Sequence, residues 1–127
     1  VKRFLLFLLA LGAAALLPLV YFMFTPFAIE GVAVSSRPSC DDAMDGKRRV
    51  SSTWADGALF VEVSEAKTCG LARQSVAVQR IGRRLFVRTT YASPSGELAA
   101  CLCRHDFSLK VPGVPRQDYD IIVYDAP

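Results

Sequence analysis

The stretch Cys101-Leu102-Cys103-Arg104-His105-Asp106-Phe107-Ser108-Leu109-Lys110-Val111 decides the fold. Cys101, Cys103, His105, Phe107, Leu109 and Val111 alternate with Leu102, Arg104, Asp106, Ser108 and Lys110. That period of two sends successive side chains to opposite faces of a strand, one toward a core and one toward water. The pattern recurs upstream. Leu59, Val61 and Val63 alternate with Phe60, Glu62 and Ser64, and Leu85, Val87, Thr89 and Tyr91 with Phe86, Arg88 and Thr90. Val76 and Val78 mark another strand, and Tyr119, Ile121 and Val123 a later one. Val32 to Ser35 and Arg49 to Thr53 are shorter candidates. Turn residues fall between these runs: Asp56-Gly57, Ile81-Gly82-Arg83, Ser93-Pro94-Ser95-Gly96 and Pro112-Gly113-Val114-Pro115. Glu65 to Ala72 is the one downstream segment with helical character, and it is short. Many short strands with frequent turns predict a mainly β domain, an antiparallel β-sandwich.

The closing pattern is Cys101-x-Cys103, then Phe107-x-Leu109-x-Val111-Pro112-Gly113, then Asp118-Tyr119-x-Ile121-x-Val123. It resembles the last two strands of small exported bacterial β-sandwich domains of the immunoglobulin-like kind. The resemblance implies an immunoglobulin-like sandwich and brings no catalytic residues with it.

The opposite end of the chain is different in kind. Phe4 to Ile29 is a run of apolar residues with no ionisable side chain except Tyr21, preceded by Lys2 and Arg3 and followed by Glu30. As a helix of about 39 Å it would span a bilayer core of about 30 Å with some tilt. Pro18 near its middle is tolerated in membrane helices, and Tyr21, Phe22, Phe24 and Phe27 suit the far headgroup boundary. The positive flank predicts a cytoplasmic segment 1–3, a transmembrane signal anchor 4–29, a linker 30–47 and an extracytoplasmic sandwich 48–127. In a bacterium this is a single-pass inner-membrane protein with a periplasmic domain. The competing expectation is a cleaved signal, with Ala13-Ala14-Ala15 or Gly31-Val32-Ala33 as the small-residue site.

Four cysteines, Cys40, Cys69, Cys101 and Cys103, all follow the apolar run. An even count in a small exported domain predicts two disulfides. Cys101 with Cys103 is the poorest pairing, because strand neighbours two apart sit near the upper limit of separation. Cys40 and Cys69 then each join one of those two, in an order the spacing leaves open. The sharper alternative is a soft-metal site, such as Cu(I), from Cys101, Cys103 and His105 on one strand face. The spacing of zinc or thioredoxin-type sites is lacking.

Charge narrows the partners. The chain has fifteen Lys+Arg and twelve Asp+Glu; setting aside Lys2 and Arg3 leaves thirteen basic against twelve acidic residues, too even for a nucleic-acid binder. Arg80, Arg83, Arg84 and Arg88 around one hairpin are the candidate partner contact, for anionic lipid or an acidic protein; the plain alternative is a soluble hairpin tip. Asp41, Asp42 and Asp45 precede Gly46 without the later Glu of a calcium loop. The single His and the absence of G-x-S-x-G leave no nucleophile with its base. The expectation is a non-catalytic module without cofactor, held by 4–29 in the bilayer near another envelope protein. The alternatives are the copper binder and a cleaved exported inhibitor or ligand-binding domain.

Overall fold

The computed structural model describes residues 1–39 and 46–127. Among these residues one α-helix, α1 (Lys2–Phe24), precedes eight strands: β1 (Phe27–Ala28), β2 (Ala33–Ser39), β3 (Arg49–Ala55), β4 (Ala58–Thr68), β5 (Ala72–Ile81), β6 (Arg84–Ala92), β7 (Leu102–Val111) and β8 (Asp120–Asp125). Every described residue of α1 is exposed. The helix stops where its chemistry stops. Thr25, which caps it with an extended ψ of 127°, precedes Pro26, and a residue before proline is pushed out of the helical region. The Thr25 N–H still donates to the Tyr21 carbonyl at 2.9 Å. The apolar run therefore does not stay helical to Ile29, because Phe27 and Ala28 pair with β5 instead.

The strands form two four-stranded sheets, ordered β1-β5-β6-β8 and β2-β7-β4-β3. Leu59, Val61 and Val63 of β4 and Phe107, Leu109 and Val111 of β7 meet Val78 of β5 and Leu85 and Val87 of β6 in one core. Both sheets thus bury the face their alternation marks as apolar. At roughly 25 cal/mol per Å² of apolar surface, this shared face is the main source of stability. Asp56 and Gly57, at φ 49° and 72°, make the left-handed two-residue turn between β3 and β4, the geometry that matches strand twist in a hairpin.

Four expectations change. Ala33–Ser39, inside the expected linker 30–47, is an edge strand paired along β7 from Ala33↔Lys110 to Ser39↔Arg104. An edge strand pairs on one side only, so it accepts Pro38, which with the serines around it gave this stretch the composition of a linker. Glu65 to Ala72 is not helical, since β4 continues to Thr68 in register with Leu102. The pairing is not wholly antiparallel either: β6 and β8 run parallel, from Arg84↔Asp120 to Thr89↔Asp125. Between them the chain crosses to the other sheet as β7, so it returns to β6 in the same direction. The apolar span, finally, ends at Phe24 rather than Ile29. Cys40 and the acidic group Asp41, Asp42 and Asp45 lie outside the described residues.

Candidate functional site

Among the described residues three groups of side chains carry chemistry, two at one end of the sheets and one at the other. The first continues the inward series of β4. After Leu59, Val61 and Val63 the next inward residue is Glu65, only 2% exposed. Its carboxylate accepts from Arg48 Nε at 2.7 Å and from the Tyr91 hydroxyl, and Lys67 Nζ stands 3.7 Å away. Arg48 also donates to the Val123 carbonyl at 2.6 Å and to Asp125 Oδ1 at 3.1 Å. Asp125 accepts from Thr89 Oγ1 at 2.9 Å and pairs with Lys67. The group thus ties β4 of one sheet to β6 and β8 of the other through charged and hydroxyl groups rather than apolar contact.

The electrostatics follow from burial. Tyr91 has its pKa raised, first by desolvation and then by the Glu65 hydrogen bond and charge, so the phenol stays a donor. The His105 ring meets the Tyr91 ring edge-on with centroids 5.5 Å apart, and its buried Nε2 has no hydrogen-bond partner among the described residues. Burial, with help from Arg73 and Lys67, lowers the His105 pKa against the pull of Glu65. For Asp125, burial would raise the pKa, but Lys67, Thr89 and Arg48 outweigh it and hold the carboxyl low. Glu65, Arg48, Lys67, Tyr91, Thr89 and Asp125 thus form one continuous polar clasp between the sheets, with the His105 ring against it.

The second group is sulfur. Cys69 and Cys101, 32 positions apart in sequence, form a disulfide with Cα atoms 5.4 Å apart. Cys69 is buried and Cys101 exposed. Cys103 is buried too, with its Sγ 2.6 Å from that of Cys69. All three sulfurs lie within 4.8 Å of one another. The expected set of Cys101, Cys103 and His105 is therefore not the one brought together. Cys101 precedes the first residue of β7, Leu102, so the strand alternation does not include it, and His105 turns to Tyr91 instead. Cys40 and its pairing fall outside the described residues.

The third group is the arginine hairpin at the helix end. Phe27 pairs with Arg80 and Ala28 with Gln79, and the Ile29 N–H donates to the Val78 carbonyl at 2.9 Å. The Arg80 guanidinium lies 5.8 Å from the Phe27 ring centroid. Arg84 and Arg88 face outward from β6, whose intervening Leu85 and Val87 are buried, whereas Arg80 pairs with the inward Leu85. Arg83 sits in the turn, and Arg84 reaches Asp120 at 3.7 Å. The four arginines expected as one patch are thus divided: Arg80 and Arg83 stand at the helix exit, while Arg88 lies further up the sheet opposite Ala77.

The outer face of the second sheet forms a shallow concavity of about 650 Å³. Arg37, Arg49, Arg104, Glu62, Asp106 and serines line it. For Asp106, burial opposes ionisation but hydrogen bonds from Arg104 and Ser64 hold its pKa low. The face reads as a hydrated sheet surface with local ion pairs.

No family model, curated protein or solved structure matches the chain.

Proposed function

We propose that the chain is a non-catalytic interaction or accessory module of the bacterial envelope. A single helix anchors it in the inner membrane, and an immunoglobulin-like sandwich stands on the periplasmic side. One observation carries this: an exposed apolar helix of 23 residues runs, after Thr25 and Pro26, into a two-sheet domain bearing the Cys69–Cys101 bond. Such a helix reaches about 35 Å, enough for a bilayer core of about 30 Å. In water its apolar surface would be fully hydrated; lipid removes that cost. A structural disulfide belongs to an oxidising compartment, and Lys2 and Arg3 favour the cytoplasmic side of the helix. Tethering confines the domain to a thin layer and raises its effective concentration toward another membrane component.

A pair of topology reporters fused after Pro127, one active only outside the cytoplasm and one only inside, tests this directly. Activity of the outside reporter, in protein whose measured mass retains Phe4 to Ile29, is expected. Activity of the inside reporter refutes it, and loss of that segment supports a released domain instead. Crosslinking in intact cells then identifies the neighbour. The second reading, a soft-metal binder, draws on the sulfur trio of Cys69, Cys101 and Cys103. Counting reactive thiols in unreduced protein separates the two: absence of reactive thiols supports bridges, and two or more thiols that take up Cu(I) support the metal.

A further inference from the structure

We propose that the β5–β6 hairpin rests on the lipid surface from which α1 emerges, with Arg80 and Arg83 bound to the phosphates of anionic phospholipid headgroups. This deepens the membrane assignment of α1 and rests on it. The register supplies the geometry. β1 runs antiparallel to β5, with Phe27 opposite Arg80 and Ala28 opposite Gln79. Moving back along the chain from Phe27 toward the helix end at Phe24 therefore corresponds to moving forward along β5 toward the turn at Gly82 and Arg83. The hairpin tip points toward the helix, and any bilayer surface met by Phe24 lies within a few residues of Arg83.

The side chains suit that boundary. Phe27 is 41% exposed beneath Arg80, an aromatic ring at the level where headgroups begin. Arg83 is exposed, and an arginine fork matches phosphate oxygens in a two-point contact. The acids at this end do not cancel the pair. Asp120 is engaged by Arg84, and the exposed Arg116 borders the same recess as Asp56. Each basic residue near an anionic surface raises the preference for the surface about fivefold. Because the anchor already brings the domain to the bilayer, the hairpin needs only that local preference.

The sole tryptophan reports on this end of the domain. The Trp54 ring stacks obliquely on Tyr119, with centroids 6.4 Å apart, and Tyr119 precedes Asp120, the partner of Arg84 in the sheet. The full chain is reconstituted in vesicles of phosphatidylcholine, alone or with about a third phosphatidylglycerol as the anionic surface, each carrying a nitroxide on a fraction of headgroups. Quenching of Trp54 is expected to be stronger in the anionic vesicles and to weaken with added salt. Arg83→Gln lowers the ratio of docked to undocked domain about fivefold, and the Arg80→Gln, Arg83→Gln double variant about 25-fold. Arg88→Gln, away from the helix exit, leaves it unchanged. Arg83 lies in an exposed turn, so its single variant keeps the test valid if Arg80→Gln disturbs the fold. Equal quenching in both vesicles, or no response to Arg83→Gln, in protein that resists alkaline carbonate extraction overturns the lipid contact alone. Extraction by carbonate overturns the membrane assignment and the contact with it.

Discussion

Replacing Arg48 with Met removes the guanidinium that reaches Glu65 at 2.6 Å and leaves the carboxylate buried beside Tyr91 and Lys67. Taking away one partner of a buried pair costs about 3–5 kcal/mol, because a charge stays desolvated with its attraction gone. Two features of this clasp lower the figure. The Arg48 side chain is 31% exposed, so water takes part of its place, and Lys67 remains 3.7 Å from Glu65. Against that, Arg48 also gives up its bonds to Asp125 and to the Val123 carbonyl of β8. We expect a loss of about 2–3 kcal/mol, which lowers the melting midpoint of a domain this size by about 10–20 °C. Thermal melts of the full chain in detergent at neutral pH, followed through Trp54 fluorescence, avoid the signal of the apolar helix. Arg48→Met with Glu65→Leu removes both charges, so the double variant melts higher than Arg48→Met alone. A fall of less than about 4 °C for the single variant, or a double variant that loses the sum of both singles, would refute the clasp.

Acidification should destabilise the domain in two steps. The lowered His105 pKa means the unfolded chain binds the proton first, so stability falls as pH drops below 6.5. Asp125 and Asp106 contribute above the ordinary carboxylate range and lose that contribution as pH falls through their lowered values. His105→Leu should remove the upper step in a pH series of denaturant midpoints and leave the lower one. Reducing the Cys69–Cys101 bridge, which spans 32 positions, should cost about 3–4 kcal/mol by loop closure; peptide mapping under non-reducing conditions should recover the two cysteines linked. Gly70→Ala should cost about 2 kcal/mol or more, since Gly70 sits at φ +95° and an added Cβ would lie 2.7 Å from the Glu97 carbonyl oxygen. Unchanged urea midpoints in that variant would show that the segment yields.

The strands that build the core were legible because most of their inward face is apolar. Leu59, Val61 and Val63, then Leu85 and Val87, then Phe107, Leu109 and Val111 declare their inward side by hydrophobicity alone. The clasp was hidden by the same criterion. Thr89 and Tyr91 already stood in the alternating series of β6, but Glu65, which continues that of β4, was left out because a charge breaks an apolar run, and its partner Arg48 lies 17 positions upstream. Extending the period of two past Val63, instead of stopping at the first polar residue, would have found it. β2 was legible only in its first part, Val32 to Ser35, because the rest of this edge strand, serines beside Arg37 and Pro38, carries little apolar signal. Whether β8 lies parallel or antiparallel to β6 depends on where the intervening β7 packs, which no local pattern records. The division of the arginines likewise follows from register: Arg80 and Arg84 flank one turn but end on opposite faces.

Only Thr25 and Pro26 separate α1 from β1, and proline's ring fixes one of the few torsions left. A coupling this short has almost no slack. If α1 spans a bilayer as proposed, the azimuth at which it seats there sets the compass bearing of both sheets outside it. A neighbouring helix that turned the anchor about its axis would swing the serine-rich face and the β3 rim together, as a key turns its bow.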